Sequence, residues 1–304
     1  MGEIIYRRGT ETDSYGVFCL FEETFADLLH RFGLADETEP AWHEPEKLAR
    51  MWAERQSLYD YLGQSAEHFW LAEQDGQIVG FARSVFHGGV RELTEFFVRP
   101  SGQSAGVGQE LLRRAFPAAG ASHRLIIATM DVRAQVRYLK TGVYPHFPLY
   151  YFWREPQTVT VTTDLQTRPL TLSPETIDIL AALDQTVIGF RRDGIHSWLS
   201  ENRQGWLYYR AGQPVGYGYT GKNNGPFALL DSQDFPAVLA QAESFAAAHH
   251  PTHFGLELPM INQVAVTYLL ERGFRMDNFA ALFMWDKPLG DLSRYICTSP
   301  PFFM

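Results

Sequence analysis

A glycine-punctuated stretch, VRPSGQSAGVGQ, runs from Val98 to Gln109 and has the character of a phosphate-binding turn. It follows the apolar run RELTEFFV, which is typical of a strand, and it leads into GQELLRRAF, which is typical of a helix. Glycines at the start of a helix expose successive backbone N–H groups, and the helix dipole adds to their attraction for an anion. Each hydrogen bond to such a charged group contributes about 1.5–3 kcal/mol. The stretch therefore predicts a site for a phosphate or pyrophosphate.

Two other phosphate motifs are excluded by their spacing. The chain has no Gly-x-x-x-x-Gly-Lys-Ser/Thr, so the lysine and hydroxyl of a triphosphate loop are missing. A Gly-x-Gly-x-x-Gly followed by an acidic residue about 20 positions on does not fit either. The sequence therefore argues against a nucleoside triphosphatase and against a dehydrogenase.

The chain repeats one order of residues, and only the first copy has the glycine stretch. Trp70-Leu71, Gly76-Gln77 and Val79-Gly80-Phe81 recur as Trp206-Leu207, Gly212-Gln213 and Val215-Gly216-Tyr217, at an offset of 136. Asp131, Ala134 and Gly142 recur as Asn262, Ala265 and Gly273, at an offset of 131. The five missing residues are expected to fall at the glycine stretch. Because the second copy manages without these glycines, the first copy is expected to keep them for a ligand.

Hydrophobic periodicity predicts the elements that position this stretch. A strand over residues 4–8 precedes an amphipathic helix over 13–32 and a second helix that ends near Leu62. A hairpin turns at Asp75-Gly76, and RELTEFFV is the next strand. A short helix, the buried strand HRLIIATM, a helix that ends before Gly142 and an aromatic strand follow.

Composition limits the class of protein. A chain of 304 residues favours two domains, and a formal net charge of -9 argues against binding to nucleic acid or to anionic membranes. No run approaches the roughly 18 apolar residues of a membrane span, and two distant cysteines predict no disulfide framework, so a cytoplasmic location is expected. The HHPTH segment is not expected to bind a metal, because Pro251 breaks helical spacing and no carboxylate is adjacent.

The motif VRPSGQSAGVG resembles the Val-x-Pro-x-x-Gln/Arg-x-x-Gly-x-Gly/Ala signature of the GNAT superfamily of N-acetyltransferases, and DVRAQVRYLKTG resembles the helix that follows it in that family. The resemblance implies an α/β fold of two tandem GNAT-like domains. Each would be a mixed, mostly antiparallel twisted sheet flanked by helices, with splayed central strands. Residues 1–157 would bind acetyl-coenzyme A and catalyse the reaction, and residues 158–304 would form a degenerate second domain.

The resemblance also implies which residues hold acetyl-coenzyme A, with no metal required. Phe97 and Val98 would pair through their backbone with the pantetheine arm, and the Val98 amide would be the oxyanion donor. Asp131 stands where the family usually has an asparagine that contacts the same arm. The pyrophosphate cradle would be formed by Gln103, Ser104, Ala105, Gly106, Val107 and Gly108.

Direct transfer to an amine needs a proton acceptor and a proton donor. Tyr138, four residues before Gly142, would be the general acid by resemblance to the family. Glu92, six residues before Val98, is the preferred base by resemblance to family members that carry a carboxylate at this position. Glu95 is the alternative, although strand alternation places it on the opposite face unless a bulge intervenes. A third possibility is that both carboxylates lie on a solvated strand face and that water or the substrate carries the proton.

The expected function is acetyl transfer to a primary amine of a small molecule or peptide. The alternative is a coenzyme A-binding sensor or interaction module without turnover, and a longer acyl donor is left open. The oligomeric state is not predicted.

The sequence says little about the acceptor. An acidic loop between the first two helices would steer a cationic amine, or it is only a solvated loop. Its carboxylates are those of Asp36, Glu37, Glu39, Glu44 and Glu46. The apolar segment TSPPFFM is expected to dock in a groove.

Overall fold

A computed structural model describes residues 2–34, 44–100 and 106–304. Contacts divide the chain into two compact units. The first contains Met1–Ile126 and Asp131–Val143, and the second contains Ile127–Met130 and Tyr144–Met304.

The first unit follows the predicted order of elements. Strands β1 to β4 pair as an antiparallel meander, and β5 pairs parallel to β4. The bounds are β1 Ile5–Arg8, α1 Ser14–Arg31, α2 Pro45–Gln64, β2 Ala66–Gln74, β3 Gln77–His87, β4 Val90–Val98, α3 Val107–Ala115, β5 His123–Thr129 and α4 Val132–Lys140.

Two turns in this unit form where the sequence predicts them. Asp75 and Gly76 have φ values of 51° and 76°, the left-handed pair that a two-residue hairpin requires. Gly142, with φ 85°, ends α4 because a residue with a β-carbon is strained in that conformation. Both predicted boundaries are confirmed.

Helices cover both faces of β3 and β4 in the first unit. On one face the Phe21 ring of α1 lies 5.0 Å from that of Phe97, and Arg83 donates a hydrogen bond to the Tyr59 carbonyl of α2. On the other face Ser84 donates to the Ala115 carbonyl of α3 at 2.6 Å. We call these the α1/α2 face and the α3 face.

The second unit repeats this architecture. Strand β6 pairs with β11 and β12, and a separate group has the order β13-β10-β9-β8-β7. The fold is therefore mixed α/β with mostly antiparallel strands, as predicted. The bounds are β6 Tyr144–Arg154, β7 Gln166–Pro169, α5 Pro174–Val187, α6 Ile195–Asn202, β8 Gln204–Arg210, β9 Gln213–Thr220, β10 Phe227–Leu229, α7 Phe235–His249, β11 Phe254–Pro259, α8 Gln263–Glu271, β12 Arg275–Trp285 and β13 Tyr295–Ile296.

The two copies correspond strand by strand, but the shortening of the second copy lies earlier than predicted. Gly80 pairs with Val98, and its counterpart Gly216 pairs with Leu229. The offset has therefore already fallen from 136 to 131 before the end of β10, so the five residues are lost in the β9–β10 hairpin. The glycine stretch is replaced in the second copy, not deleted.

By the predicted boundary, strand β6 belongs to the first copy. In the structure it pairs with β11 and β12, and all three strands lie in the second unit. The sequence predicts that the first copy ends at residue 157 and that the second begins at residue 158, and this boundary between the copies stays a prediction. The compact units divide instead at residues 143/144.

A buried polar network lies in the second unit. Arg192 and Asp184 are 1% and 0% exposed and form a two-pronged ion pair at 3.0 Å, and His196 and Tyr217 also contact the Asp184 carboxylate. Burial by itself raises the pKa of Asp184. The Arg192 charge and the hydrogen bond from His196 outweigh that effect and lower the pKa to about 2.

This network predicts a pH-dependent stability. Because the pKa of Asp184 is lower in the folded chain than the ordinary value of 3.8, its contribution is complete above pH 3.8 and is lost as the pH falls through 2. At pH 7, Asp184→Asn is expected to lower the free energy of unfolding by about 3–5 kcal/mol, because Arg192 is left buried and unpaired. The deficit should shrink by about 2 kcal/mol at pH 2.

Denaturant titrations at pH 7, 4 and 2 measure this. Asp178→Asn on the same helix is the matched control, because Asp178 forms an exposed pair with Arg191 and should change stability by less than about 1 kcal/mol. A deficit for Asp184→Asn that is equal at pH 7 and pH 2 would contradict the interpretation.

Candidate functional site

The pairing between β4 and β5 stops partway along β4. The parallel ladder runs from Val90↔His123 to Leu93↔Ile126, whereas the pairing of β4 with β3 continues to Val98. Over residues 95–97, β4 therefore has strand pairing on its β3 edge only, within the described residues. The central strands are splayed at this point, as the resemblance implies.

A β-bulge decides which way the two candidate carboxylates point. Glu95 lies opposite Arg83 and Leu93 lies opposite Ser84, so Thr94 is an extra residue in β4. Its hydroxyl donates to the Arg83 carbonyl at 3.1 Å. Glu92, opposite Val85, consequently shares the α1/α2 face with Glu95. The sequence left open whether Glu95 shares a strand face with Glu92, and the structure places both residues on one face.

Arg83 is a site residue that the sequence analysis did not identify. Its guanidinium forms an ion pair with the Glu95 carboxylate, and both side chains are fully buried. It also lies 4.8 Å from the centre of the Phe69 ring. Burial raises the pKa of Glu95, and the Arg83 charge opposes that rise. The only sequence signal was a single charged residue in the apolar strand GFARSVF.

Tyr138 lies on the other side of β4. Phe96, opposite Ala82, points to the α3 face, and the Tyr138 ring meets it edge-on at 6.0 Å. Tyr138 is 6% exposed. Burial, together with the Asp131 carboxylate, raises the pKa of Tyr138 well above the usual value, so its phenol is protonated at neutral pH. The candidate acid and the candidate bases therefore lie on opposite faces of one strand.

At the start of α3, the surroundings of Gly106 and Gly108 differ. Gly106, the residue before α3, has φ 78° and is exposed, and a β-carbon added there would meet no atom of the described residues within 4 Å. A β-carbon on Gly108 would lie 3.0 Å from the Phe96 ring. Val107 points into the core and is 1% exposed. Gln103, Ser104 and Ala105 lie outside the described residues. The open helix N-terminus fits a phosphate group.

Arg137 is a second residue that the sequence analysis missed. Its Nε atom lies 3.2 Å from the position that a Gly108 β-carbon would take. It therefore places a positive charge beside the N-terminus of α3, where a phosphate would also be attracted by the backbone amides. In the sequence, Arg137 could have been recognised as a candidate because it directly precedes Tyr138.

Asp131 is engaged by its own chain. Its carboxylate caps α4 by accepting from the Arg133 N–H at 2.9 Å, and it pairs with the Arg133 and Arg31 guanidinium groups at 3.0 and 3.1 Å. Burial favours a higher pKa, but these hydrogen bonds outweigh it and lower the pKa of Asp131. The residue holds the start of the helix that carries Arg137 and Tyr138.

The predicted acidic loop is only partly described. Asp36, Glu37 and Glu39 lie outside the described residues, while Glu44 precedes α2 and Glu46 is in its first turn. Steering of a cationic acceptor by this loop stays a prediction.

The residues that the structure describes gather no group of three or more His, Cys, Asp or Glu side chains suited to a metal ion. None of the helices within 2–34, 44–100 and 106–304 has both the length and the apolar character to cross a membrane.

The Arg83–Glu95 pair predicts a stability effect. Glu95→Gln should lower the free energy of unfolding by about 3–5 kcal/mol, because the Arg83 charge is left buried without its partner. The double variant Arg83→Met with Glu95→Leu should recover most of that loss, since it removes both charges. Urea denaturation of the three proteins measures this. A single variant as stable as the parent would show that the pair does not hold β3 and β4 as described.

Part of the chain matches the profile of a known family. Residues 32–142 match the profile of the acetyltransferase (GNAT) family. No curated protein matches the chain.

Several solved structures share the fold over nearly the whole chain. A putative acetyltransferase from Pyrococcus horikoshii is 12% identical, with 96% of this chain and 92% of that chain covered and a TM-score of 0.71. A GCN5-related N-acetyltransferase from Sphaerobacter thermophilus is 14% identical, with 95% and 98% covered and a TM-score of 0.56. A tandem GNAT protein from the clavulanic acid biosynthesis pathway is 13% identical, with 94% and 99% covered and a TM-score of 0.55. At these identities the likeness concerns the fold.

Proposed function

We propose that this chain, a tandem GNAT protein by its family match and its fold, uses its first unit to transfer an acetyl group from acetyl-coenzyme A to a primary amine of a small molecule or peptide. One observation carries the proposal. Where the β4–β5 ladder ends, a protonated phenol lies on one face of β4 and two carboxylates lie on the other. A base on the acceptor side and an acid on the thiol side are what direct transfer needs.

The described residues that would hold coenzyme A belong to the end of β4 and to the starts of α3 and α4. The backbone of Gly106–Gly108, with Gln103, Ser104 and Ala105, would receive the pyrophosphate, and Arg137 would add its charge there. The backbone of Phe97 and Val98 would pair with the pantetheine arm as an added strand. When bound, the coenzyme supplies a thioester-activated acetyl group. Asp131 would act indirectly, by holding α4.

The proton movements follow from the geometry. The acceptor ammonium would lose one proton before attack, and its nitrogen would form the new C–N bond as the C–S bond breaks. The nitrogen would then release its second proton to solvent, and the departing thiolate would gain a proton, so that the products are a neutral amide and a thiol. Glu92 would take the first proton on the α1/α2 face, where its position opposite Val85 places it. Tyr138 would supply the second proton on the α3 face. Exchange with solvent restores both groups.

The formal net charge of -9 supports a cationic acceptor that approaches from the α1/α2 face. Glu44 and Glu46, at the start of α2, add negative charge to this unit. We infer that the acceptor is an amine that is protonated in solution and loses its proton to Glu92 after binding.

Gly106→Glu is expected to abolish coenzyme A binding without unfolding the chain. The added carboxylate would enter the space before α3 and repel the pyrophosphate. Isothermal titration calorimetry measures the binding. Gly76→Glu is the matched control, because Gly76 has a similar φ of 76° and equally open surroundings but lies in the β2–β3 hairpin. Unchanged affinity in Gly106→Glu would refute the cradle assignment.

Glu92→Gln and Tyr138→Phe are each expected to lower kcat by about 10²–10⁴-fold, because each removes one proton transfer. Coenzyme A affinity should be retained, since neither side chain is assigned to the cradle. Thiol release from acetyl-coenzyme A across a panel of primary amines measures turnover. A parent protein that binds coenzyme A tightly but acetylates no amine would favour a non-catalytic sensor instead.

A further inference from the structure

In the second unit, the cleft that corresponds to the proposed coenzyme site is lined by the counterparts of the residues discussed above. Because Gly216 pairs with Leu229 as Gly80 pairs with Val98, strand β10 corresponds to the end of β4. Phe227 and Ala228 are thus the counterparts of Phe96 and Phe97. Strand β11 corresponds to β5 at the same offset of 131.

A segment of the chain itself lies between these two strands. Residues 295–296 form β13, which pairs antiparallel with β10 through Ala228↔Tyr295 and Phe227↔Ile296. Cys297 then forms an antiparallel bridge with Glu257 of β11, with its N–H donating to the Glu257 carbonyl at 3.1 Å. Glu257 is the counterpart of Ile126, where the β4–β5 ladder ends.

The counterpart of Asp131 also contacts this segment. Asn262 caps α8 by accepting from the Ala265 N–H, and its side-chain amide donates to the Tyr295 carbonyl at 3.1 Å. Asn262 is fully buried. It therefore binds an extended backbone at the start of the helix that corresponds to α4.

Further hydrogen bonds hold the segment beyond Cys297. The Ser299 N–H donates to the Asn224 carbonyl at 2.9 Å, and the Arg203 guanidinium donates to the Ser299 carbonyl at 2.7 Å. Gly225 packs against Cys297 so closely that an added β-carbon would lie 2.2 Å from its carbonyl oxygen. Exposure is 0% for Tyr295, Ile296 and Cys297, 1% for Thr298 and 7% for Ser299.

We propose that residues 295–299 are an intramolecular ligand that occupies, in the second copy, the cleft proposed to take the pantetheine arm in the first, so that each chain binds one coenzyme A. The inference rests on the proposed function for the identity of the first cleft. The segment makes three contacts in this cleft: it adds a strand to the end of the fourth strand of the copy, it bridges to the fifth strand, and it accepts a hydrogen bond from Asn262 at the start of the following helix. A coenzyme arm would have to displace buried, hydrogen-bonded backbone to enter this cleft.

The first experiment counts binding sites. Calorimetric titration of the full chain with coenzyme A should give one site, and Gly106→Glu should give none. Two sites in the parent, or a full site left in Gly106→Glu while Gly76→Glu behaves as the parent, would overturn the inference. A parent that binds no coenzyme A refutes the proposed function instead, and the second experiment then still tests the placement of the segment.

The second experiment uses Cys297 as a reporter in a Cys19→Ser background. Native labelling by a maleimide should be slow, because the Cys297 thiol is buried. Gly225→Ala should speed labelling about tenfold or more by forcing the segment outward. Gly212→Ala is the control, because its φ of 79° gives the same backbone strain with nothing within 4 Å. Fast labelling in the parent, or equal rates in the two variants, would overturn the placement.

Asn262→Ser provides a milder test if Gly225→Ala does not fold. Serine retains an acceptor for the α8 cap but removes the donor to the Tyr295 carbonyl. Faster labelling of Cys297 than in the parent supports the placement, and an unchanged rate counts against it.

Discussion

The release of β4 from β5 after Leu93 is the constraint on which the proposed site depends. As far as Leu93 the two strands satisfy each other's backbone, and beyond it β4 is paired only with β3 over residues 95–97 in the described chain. Backbone polar groups inside a protein need partners. The edge of β4 over residues 95–97 is therefore suited to pairing with an extended ligand. In the proposed function, the thioester of that ligand would lie at this edge, with the α1/α2 face on one side of it and the α3 face on the other.

The bulge at Thr94 and the buried Arg83–Glu95 pair give this strand its chemical asymmetry. The bulge brings Glu92 and Glu95 to the α1/α2 face, while Phe96 and the adjoining phenol lie on the α3 face. Arg83 neutralises one of the two carboxylates. A fully buried guanidinium is expensive to desolvate and is retained only when it is well paired, so Arg83 and Glu95 hold each other in place between β3 and β4.

The two copies solve one backbone problem in different ways. In the first copy, Gly106 precedes α3 with a φ of 78°. In the second copy, Phe235 begins the corresponding helix α7 without a glycine before it. The open edge at the end of β10 is satisfied by Tyr295 and Ile296 from the chain itself. Intramolecular pairing needs no ligand and does not depend on concentration, so the second cleft becomes part of the core. The same fold thus occurs twice in the chain, and the two copies differ in what pairs with the end of their fourth strand.

Local sequence determined the elements of this protein and the family that its first copy resembles. Periodicity located the helices and strands, Asp75-Gly76 and Gly142 set their ends through positive φ, and the glycine stretch before α3 predicted a class of ligand. The sequence patterns did not predict contacts between residues that are distant in the chain. The face of Glu95 depends on a bulge, Arg83 and Arg137 acquire their roles from neighbours on other elements, and the shortening of the second copy follows from strand register. The partners of residues 295–299 were decided only by the tertiary structure, because an extended segment satisfies its hydrogen bonds on whichever edge the completed fold leaves open.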